Sequence, residues 1–258
     1  MTNPAPITAD EKFEFTGPLS APGEAGPDFK RPVYARGDGP PVIVIQELPG
    51  IGPETFHLCD ELVDAGFRVY LPHLFGPLGR TSMVGNIVRV FCMRREFALF
   101  AANQSSPIVN WLRALAADVK AKTNAKGVGT IGMCLTGNFA ISLMADDAVL
   151  AGVAAQPSLP LRGPDALHMS ADDVAEVRTK LDEVGPMLGY RFEKDPLCPG
   201  RKFKAIDAAF NGDKERIKLT TLPGEGHSVL TGHFVDEAGH PTRQALDEVI
   251  GYFKEKLG

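Results

Sequence analysis

A cysteine flanked by small residues is the first candidate for chemistry in this sequence. The segment "GMCLTG", residues 132–137, places Cys134 where the buried strand "GVGTIGM" turns into the helix "LTGNFAISLMA". A nucleophile at such a turn needs small neighbours, because the backbone is strained and packs closely. The N-terminus of the following helix would favour a thiolate and stabilise an oxyanion. The alternative is that Cys134 is a small buried core residue, as free cysteines often are.

The same stretch also carries a glycine pattern, because Gly127, Gly129 and Gly132 spell G-x-G-x-x-G. A dinucleotide-binding fingerprint follows a strand, opens a helix and has an acidic residue about 20 positions further on. Here the glycines lie in and around the strand itself, and the region after the next strand reads "AGVAAQPS" without an acidic residue. The context argues against a phosphate loop and favours the nucleophile turn.

Two later loops offer the groups that a thiol nucleophile needs, a histidine base and an acid that orients it. His227 lies in "GEGHSVLTG" after the strand "RIKLTTLP", and Asp195 lies in "EKDPLCP" after the strand "PMLGYRF". Both follow carboxyl ends of strands, where sites in open α/β sheets are built, in the order nucleophile, acid, histidine. Glu193 is the competing acid. The remaining histidines are expected in surface or packing roles: His57, His73, His168, His233 and His240.

The elements that must position these residues alternate between strands and helices from residue 41 to the C-terminus. Continuous apolar runs such as "PPVIVIQE" predict strands buried on both faces, and stretches such as "PTRQALDEVIGYFKEKL" predict amphipathic helices. Residues 1–40 are rich in Pro and Gly and predict an irregular or antiparallel edge. The pattern therefore predicts a single α/β domain, with a mostly parallel central sheet and helices on both faces.

The composition limits the classes of function. The chain has 258 residues, of which 44% are hydrophobic and 23% charged, and a net charge of −5 without a basic cluster, which argues against a nucleic-acid partner. No apolar run approaches the roughly 20 residues that cross a bilayer, and no secretory signal is visible. We therefore expect a cytoplasmic protein without a membrane partner. Its widely spaced cysteines are expected to be reduced thiols: Cys59, Cys92, Cys134 and Cys198.

The chain resembles the dienelactone hydrolases, which are cysteine-dependent members of the α/β-hydrolase fold. The resemblance runs from about residue 40 to the C-terminus and rests on "VIVIQELPG", "GFRVYLPHLFG", "GMCLTG", "EKDPLCP" and "GEGHSV" in that order. It implies Cys134 as the nucleophile, Asp195 and His227 as the rest of a catalytic triad, and Glu47 beside the thiol. There Glu47 should disfavour the bare thiolate at rest. The alternative is that Glu47 is a structural residue that hydrogen-bonds loop amides.

The resemblance also suggests that the backbone N–H groups of Leu48 and Leu135 form the oxyanion hole. Pro49 has no N–H, which independently indicates Leu48 as the donor in that loop. The family usually has glycine where this chain has Thr136, and we expect this threonine to narrow the elbow or add a hydroxyl to the pocket. A second departure is an extra stretch at about residues 158–185, which we expect to reshape the entrance.

These residues predict a hydrolase that opens a lactone or small ester through a cysteinyl acyl-enzyme, with a small-molecule ester or lactone as its partner. No metal or organic cofactor is expected, because neither H-E-x-x-H nor Cys/His ligand spacing occurs. In the family, arginines bind the substrate carboxylate. Arg94 and Arg95 are placed where such a contact could arise, and the alternative is that both are solvated surface residues. The alternative function is a non-catalytic ligand-binding or thiol redox-sensing protein on the same fold.

Overall fold

The computed structural model describes residues 9–258, except for 22, 49, 80–105, 159–164 and 168. In chain order the strands are β1 (Glu11–Pro18), β2 (Asp28–Arg36), β3 (Pro41–Ile45), β4 (Arg68–Pro72), β5 (Val128–Met133), β6 (Val149–Ala155), β7 (Met187–Phe192) and β8 (Ile217–Leu222). The helices are α1 (Pro53–Asp64), α2 (Pro107–Thr123), α3 (Leu135–Leu143), α4 (Ala171–Val184), α5 (Gly200–Phe210) and α6 (Pro241–Leu257).

All the strands named above belong to one sheet, in the order β1-β2-β4-β3-β5-β6-β7-β8. From β4 to β8 each strand runs parallel to its neighbour. β1 and β2 form an antiparallel pair, and β2 joins the sheet antiparallel to β4. The structure therefore confirms a mostly parallel α/β sheet, with an antiparallel edge formed by N-terminal residues.

The central strands are buried on both faces because helices cover the sheet from two sides. Every residue of β3, β5 and β7 is buried, and for β3 this confirms what its continuous apolar sequence predicted. On one face, Trp111 of α2 lies fully buried and donates a hydrogen bond from its indole N–H to the carbonyl of Phe29, 2.7 Å away. On the other face, Phe253 of α6 is fully buried. Among the described helices, none combines the length and the apolar character that crossing a membrane requires.

Short-range signals set where several helices begin and end. The Ser170 side chain caps α4 by accepting a hydrogen bond from the amide of Asp173. In return, the Asp173 carboxylate accepts a hydrogen bond from the amide of Ser170. This capping box makes Ser170 the N-cap of α4. After α1, Gly66 adopts a φ of 94°, a conformation that suits glycine and ends the helix.

The parallel strands deliver their connections to one side of the sheet. The segments that leave the C-terminal ends of β3, β5, β6, β7 and β8 meet there, and we call this side the carboxyl edge. The pairing of Ile45 with Gly132 brings the ends of β3 and β5 together at its centre. Four candidate residues of the sequence follow these strands: Glu47 after β3, Cys134 after β5, Asp195 after β7 and His227 after β8.

Candidate active site

Cys134 lies on a strained turn between β5 and α3. Its backbone has φ 58° and ψ −124°, in a region that residues with a side chain rarely adopt. The amide of Cys134 donates to the carbonyl of Ala155 at 3.1 Å, and its carbonyl accepts from the amide of Ser158 at 3.0 Å. The backbone at the end of β6 thus holds the turn. The side chain is buried at the N-terminus of α3, with 5% of the residue exposed.

The glycines around this turn are required by close packing. A Cβ on Gly132 would lie 2.1 Å from the carbonyl oxygen of Thr136, so no larger residue fits without moving the backbone. A Cβ on Gly129 would meet the ring of Phe253 at 3.0 Å, inside the core. The G-x-G-x-x-G pattern therefore serves the packing of β5, in agreement with the argument against a phosphate loop.

Asp195 and His227 form a hydrogen-bonded pair beside this turn. Oδ2 of Asp195 lies 2.8 Å from Nδ1 of His227, and the Asp195 side chain is fully buried. Its other oxygen, Oδ1, accepts hydrogen bonds from the amides of Leu197 and Cys198 at 2.8 and 3.0 Å. Glu193, the competing acid, is exposed. The structure thus brings Asp195, and not Glu193, to the histidine.

The electrostatics of the pair favour opposite charges on its two members. Burial opposes a charge on His227, but the hydrogen bond to Asp195 and the interaction with Cys134 outweigh it and raise the pKa of His227 to about 10. Burial likewise opposes the charge of Asp195, yet the bond from His227 and the two amides lower the pKa of that carboxyl group. Nε2 of His227 is buried and has no hydrogen-bond partner among the described residues. This nitrogen is therefore available to a reacting group.

Glu47 holds the loop that follows the histidine. Oε2 of Glu47 accepts a hydrogen bond from the hydroxyl of Ser228 at 2.8 Å, and Oε1 accepts a short one from the hydroxyl of Thr231. Burial raises the pKa of Glu47, and these bonds oppose the rise. We call residues 226–231 the histidine loop. The Glu47 carboxylate is therefore hydrogen-bonded to the histidine loop. Among the described residues, it forms no hydrogen bond with Cys134.

The segment after β6 supplies two site residues that the sequence argument missed. Gln156 has a φ of 37°, and its side chain donates to Glu47 at 3.3 Å and accepts from the amide of Val229 at 3.2 Å. Oγ of Ser158 lies 3.1 Å from Sγ of Cys134. The available signal was position, since "AQPS" leaves a parallel strand at the carboxyl edge as the triad segments do.

The two suggested oxyanion donors lie on either side of the nucleophile's strand end. Leu135 is the first residue of α3, where backbone N–H groups have no acceptor within the helix. Leu48 follows Glu47 directly and is half-buried. Neither amide donates a hydrogen bond to another residue in the described ranges. Their role as oxyanion donors stays a prediction.

Thr136 braces the elbow from inside. Its hydroxyl oxygen accepts from the amide of Met133 at 2.9 Å, and it lies 3.0 and 3.1 Å from the carbonyl oxygens of Ile45 and Gln46. The residue is fully buried. The expectation that this hydroxyl is added to the pocket is wrong, because it is turned into the backbone at the ends of β3 and β5.

Some of the remaining candidates from the sequence lie within the described residues and others lie outside them. Nδ1 of His233 accepts hydrogen bonds from the amides of Ser228 and His227 at 3.2 and 3.4 Å, so this histidine packs against the histidine loop. Within the extra stretch, α4 is described. Several candidates lie outside the described residues: Pro49, Cys92, Arg94, Arg95 and His168. The three described cysteines are free thiols, as expected: Cys59, Cys134 and Cys198.

A second cluster, on α1 and the segment after β8, has ligand types that suit a metal ion. The ligand atoms of His57, Glu61 and Asp236 all lie within 4.8 Å of one another. However, the guanidinium of Arg243 contacts Glu61 at 2.7 Å and Asp236 at 3.2 Å. Because this cation already compensates both carboxylates, we assign no metal to the cluster.

A mostly parallel sheet with a strained strand-to-helix turn after its central strand β5 is the arrangement of the α/β-hydrolase fold. The profile of the dienelactone hydrolase family matches residues 30–257, and the chain belongs to that family. Family membership supports a hydrolase activity. No curated protein sequence matches the chain.

Solved structures share this fold at low sequence identity. A Klebsiella pneumoniae protein assigned as a dienelactone hydrolase is 18% identical with a TM-score of 0.65, and the match covers 95% of this chain and 100% of that one. A dienelactone hydrolase-like promiscuous phosphotriesterase from metagenomic libraries is 16% identical with a TM-score of 0.64, covering 96% and 99%. The Pyrococcus furiosus esterase Pf2001 is 14% identical with a TM-score of 0.60, covering 96% and 93%.

Replacing Thr136 with valine should destabilise the elbow. The substitution keeps the shape of the side chain but leaves the buried amide of Met133 without its acceptor, which costs about 1–3 kcal/mol of unfolding free energy. Urea denaturation measures this loss. Thr136→Ser keeps the hydroxyl and should lose only about 0.8 kcal/mol for the missing methyl group. Equal losses in the two variants would show that the hydroxyl does not support the turn.

Proposed function

We propose that this protein is a cysteine-dependent hydrolase that opens a lactone or a small ester through a cysteinyl acyl-enzyme. The observation that carries the proposal is the meeting of three groups at the carboxyl edge. These are the strained Cys134 at a helix N-terminus and the buried Asp195–His227 pair at 2.8 Å, whose Nε2 lacks a partner among the described residues. This is the arrangement that a nucleophile, its base and an orienting acid require.

In the acylation step, the thiolate of Cys134 adds to the carbonyl carbon of the substrate and a C–S bond forms. The negative charge moves to the carbonyl oxygen, which the amides of Leu48 and Leu135 receive. As the intermediate collapses, the C–O bond to the alcohol portion breaks, and protonated Nε2 of His227 gives its proton to the departing oxygen. For a lactone, that alcohol stays attached to the acyl group, so the ring opens.

In the deacylation step, His227 acts as a base because it has just lost its proton. Its Nε2 takes a proton from water while the water oxygen adds to the thioester carbonyl. Collapse of that intermediate breaks the C–S bond, releases the carboxylic acid and returns the thiolate and the imidazolium. Asp195 holds the imidazole in the required orientation and stabilises its positive charge in both steps.

Replacing Cys134 with alanine should abolish hydrolysis while leaving the fold intact. The variant loses the only group that forms the acyl bond, and a smaller side chain at a buried, strained turn adds no clash. Turnover of p-nitrophenyl acetate and of a panel of lactones measures the effect, with circular dichroism as the test of folding. A variant that retains more than a few per cent of wild-type turnover would contradict the nucleophile assignment. A wild-type protein inactive on the whole panel would instead favour a ligand-binding or redox-sensing role.

Replacing Asp195 with asparagine should lower kcat by up to about 10⁴-fold, because the imidazole is then held in the wrong tautomer. The raised pKa of His227 should fall as well, since that carboxylate is the group that supports its charge. The basic limb of the kcat/KM profile should therefore move from near pH 10 to lower pH. Glu193→Gln is the matched control and should retain nearly full activity. A large loss in Glu193→Gln with little loss in Asp195→Asn would transfer the acid role to Glu193.

Replacing Glu47 with glutamine should raise the reactivity of Cys134 toward iodoacetamide near neutral pH. We propose that the buried carboxylate disfavours a second anion in this poorly solvated site, so its removal leaves more thiolate. Mass spectrometry of the Cys134 peptide gives the alkylation rate at each pH. Ser228→Ala is the control, because it removes a tie to the histidine loop but keeps the charge. Superimposable wild-type and Glu47→Gln profiles would leave Glu47 as a support of the histidine loop alone.

A further inference from the structure

Ser158 lies in direct contact with the sulfur of Cys134. The two side chains approach to 3.1 Å between Oγ and Sγ, and Ser158 is fully buried. This is the hydrogen bond that the structure gives the Ser158 hydroxyl among the described residues. A buried hydroxyl without a hydrogen-bond partner is costly, and the contact with the sulfur gives the Ser158 hydroxyl its partner.

The backbone fixes this hydroxyl relative to the nucleophile. The amide of Ser158 donates to the carbonyl of Cys134 at 3.0 Å, and the carbonyl of Ser158 accepts from the side-chain amide of Asn138 at 2.9 Å. One bond runs to the elbow itself and the other to α3, the helix that the elbow opens. The backbone of Ser158 is therefore tied to the elbow and to α3, and this places its side chain beside the sulfur.

The direction of the hydrogen bond follows from the form of the sulfur that reacts. The contact alone allows either atom to be the donor, but the nucleophile in the proposed reaction is the thiolate. A thiolate has no proton to donate and can only accept. The hydroxyl of Ser158 must then be the donor, and a hydrogen bond to a charged acceptor is about twice as strong as a neutral one.

We propose that Ser158 is the hydrogen-bond donor that favours the thiolate form of Cys134 and releases the sulfur when the acyl bond forms. The inference rests on the proposed function, because it concerns the same nucleophile. Ser158 keeps its own proton throughout. The electron pair of the sulfur moves into the new C–S bond, so the sulfur becomes a thioester, which is a weak acceptor. The bond is thus strong before the reaction and weak in the acyl-enzyme.

Other charged and titratable groups near the sulfur come from the segments that follow β3, β7 and β8. His227 faces it from the loop after β8, with Asp195 bound to the far side of the ring. Cys198 lies close enough from the loop after β7 to feel its charge, and burial raises the pKa of Cys198 to about 12. Glu47 interacts with His227 from beyond the ring. The helix α3 contributes its N-terminus.

The test measures the thiolate directly. Wild type, Ser158→Ala and Ser158→Thr are alkylated with iodoacetamide from about pH 5 to about pH 10, and the Cys134 peptide is quantified by mass spectrometry. We expect Ser158→Ala to react about tenfold more slowly at neutral pH, the size expected for one hydrogen bond to a charged group. Its profile should move to higher pH and reach the wild-type rate at the alkaline plateau. Ser158→Thr keeps the hydroxyl and should follow the wild-type profile.

An unmoved Ser158→Ala profile would overturn the proposal, and so would a profile moved to lower pH, which would make the thiol the donor. A lowered plateau without a displaced profile would also contradict it, because that is the signature of general structural damage. Should Ser158→Ala fail to fold, Ser158→Gly removes the same hydroxyl and is measured instead. Alkylation does not depend on ester hydrolysis, so a wild-type protein inactive toward esters would refute the proposed function and still yield these profiles.

Discussion

The strained turn at Cys134 is the constraint on which the rest of the site depends. A positive φ at a residue with a side chain costs about 1–3 kcal/mol, so the surroundings must hold it in place. Three features do so: Gly132 lets the backbone approach closely, Thr136 ties the turn to β3, and hydrogen bonds from both sides of the peptide join it to the end of β6. The strained turn after β5 is therefore held by contacts with the ends of the adjacent strands β3 and β6.

The same neighbours that hold the turn also arrange the groups around the sulfur. The end of β6 provides the acceptor for the Cys134 amide, and two residues later it places Ser158 against the thiol. Between them, Gln156 reaches across to Glu47 and to the histidine loop. A displacement of this short segment would therefore disturb the elbow, the sulfur and the base together. The same short segment after β6 therefore both supports the backbone of the turn and positions side chains around the sulfur.

The sequence predicted the elements well because their burial leaves a simple pattern. A continuous apolar run marked β3, and the strands that the sequence indicated before Cys134, Asp195 and His227 are β5, β7 and β8 in the structure. The segments that carry Asp195 and His227 could be found because each follows such a strand. The side-chain contacts could not be found this way. Nothing in the order of residues states that Thr136 turns toward β3, since that orientation is decided by the packing of two strand ends.

Glu47 and Asp195 show how the environment gives two buried carboxylates different roles. The pKa of Asp195 is lowered because a group that carries positive charge, His227, is its direct partner. The pKa of Glu47 is raised because burial outweighs donors that are neutral hydroxyls and an amide, with the histidine acting only from a distance. As the pH falls, Glu47 therefore takes up a proton before Asp195 does. The histidine loop then loses charge-assisted bonds while the Asp195–His227 pair stays ionised. Asp195 is thus suited to orienting the imidazole of His227, and Glu47 to setting how firmly the histidine loop is held.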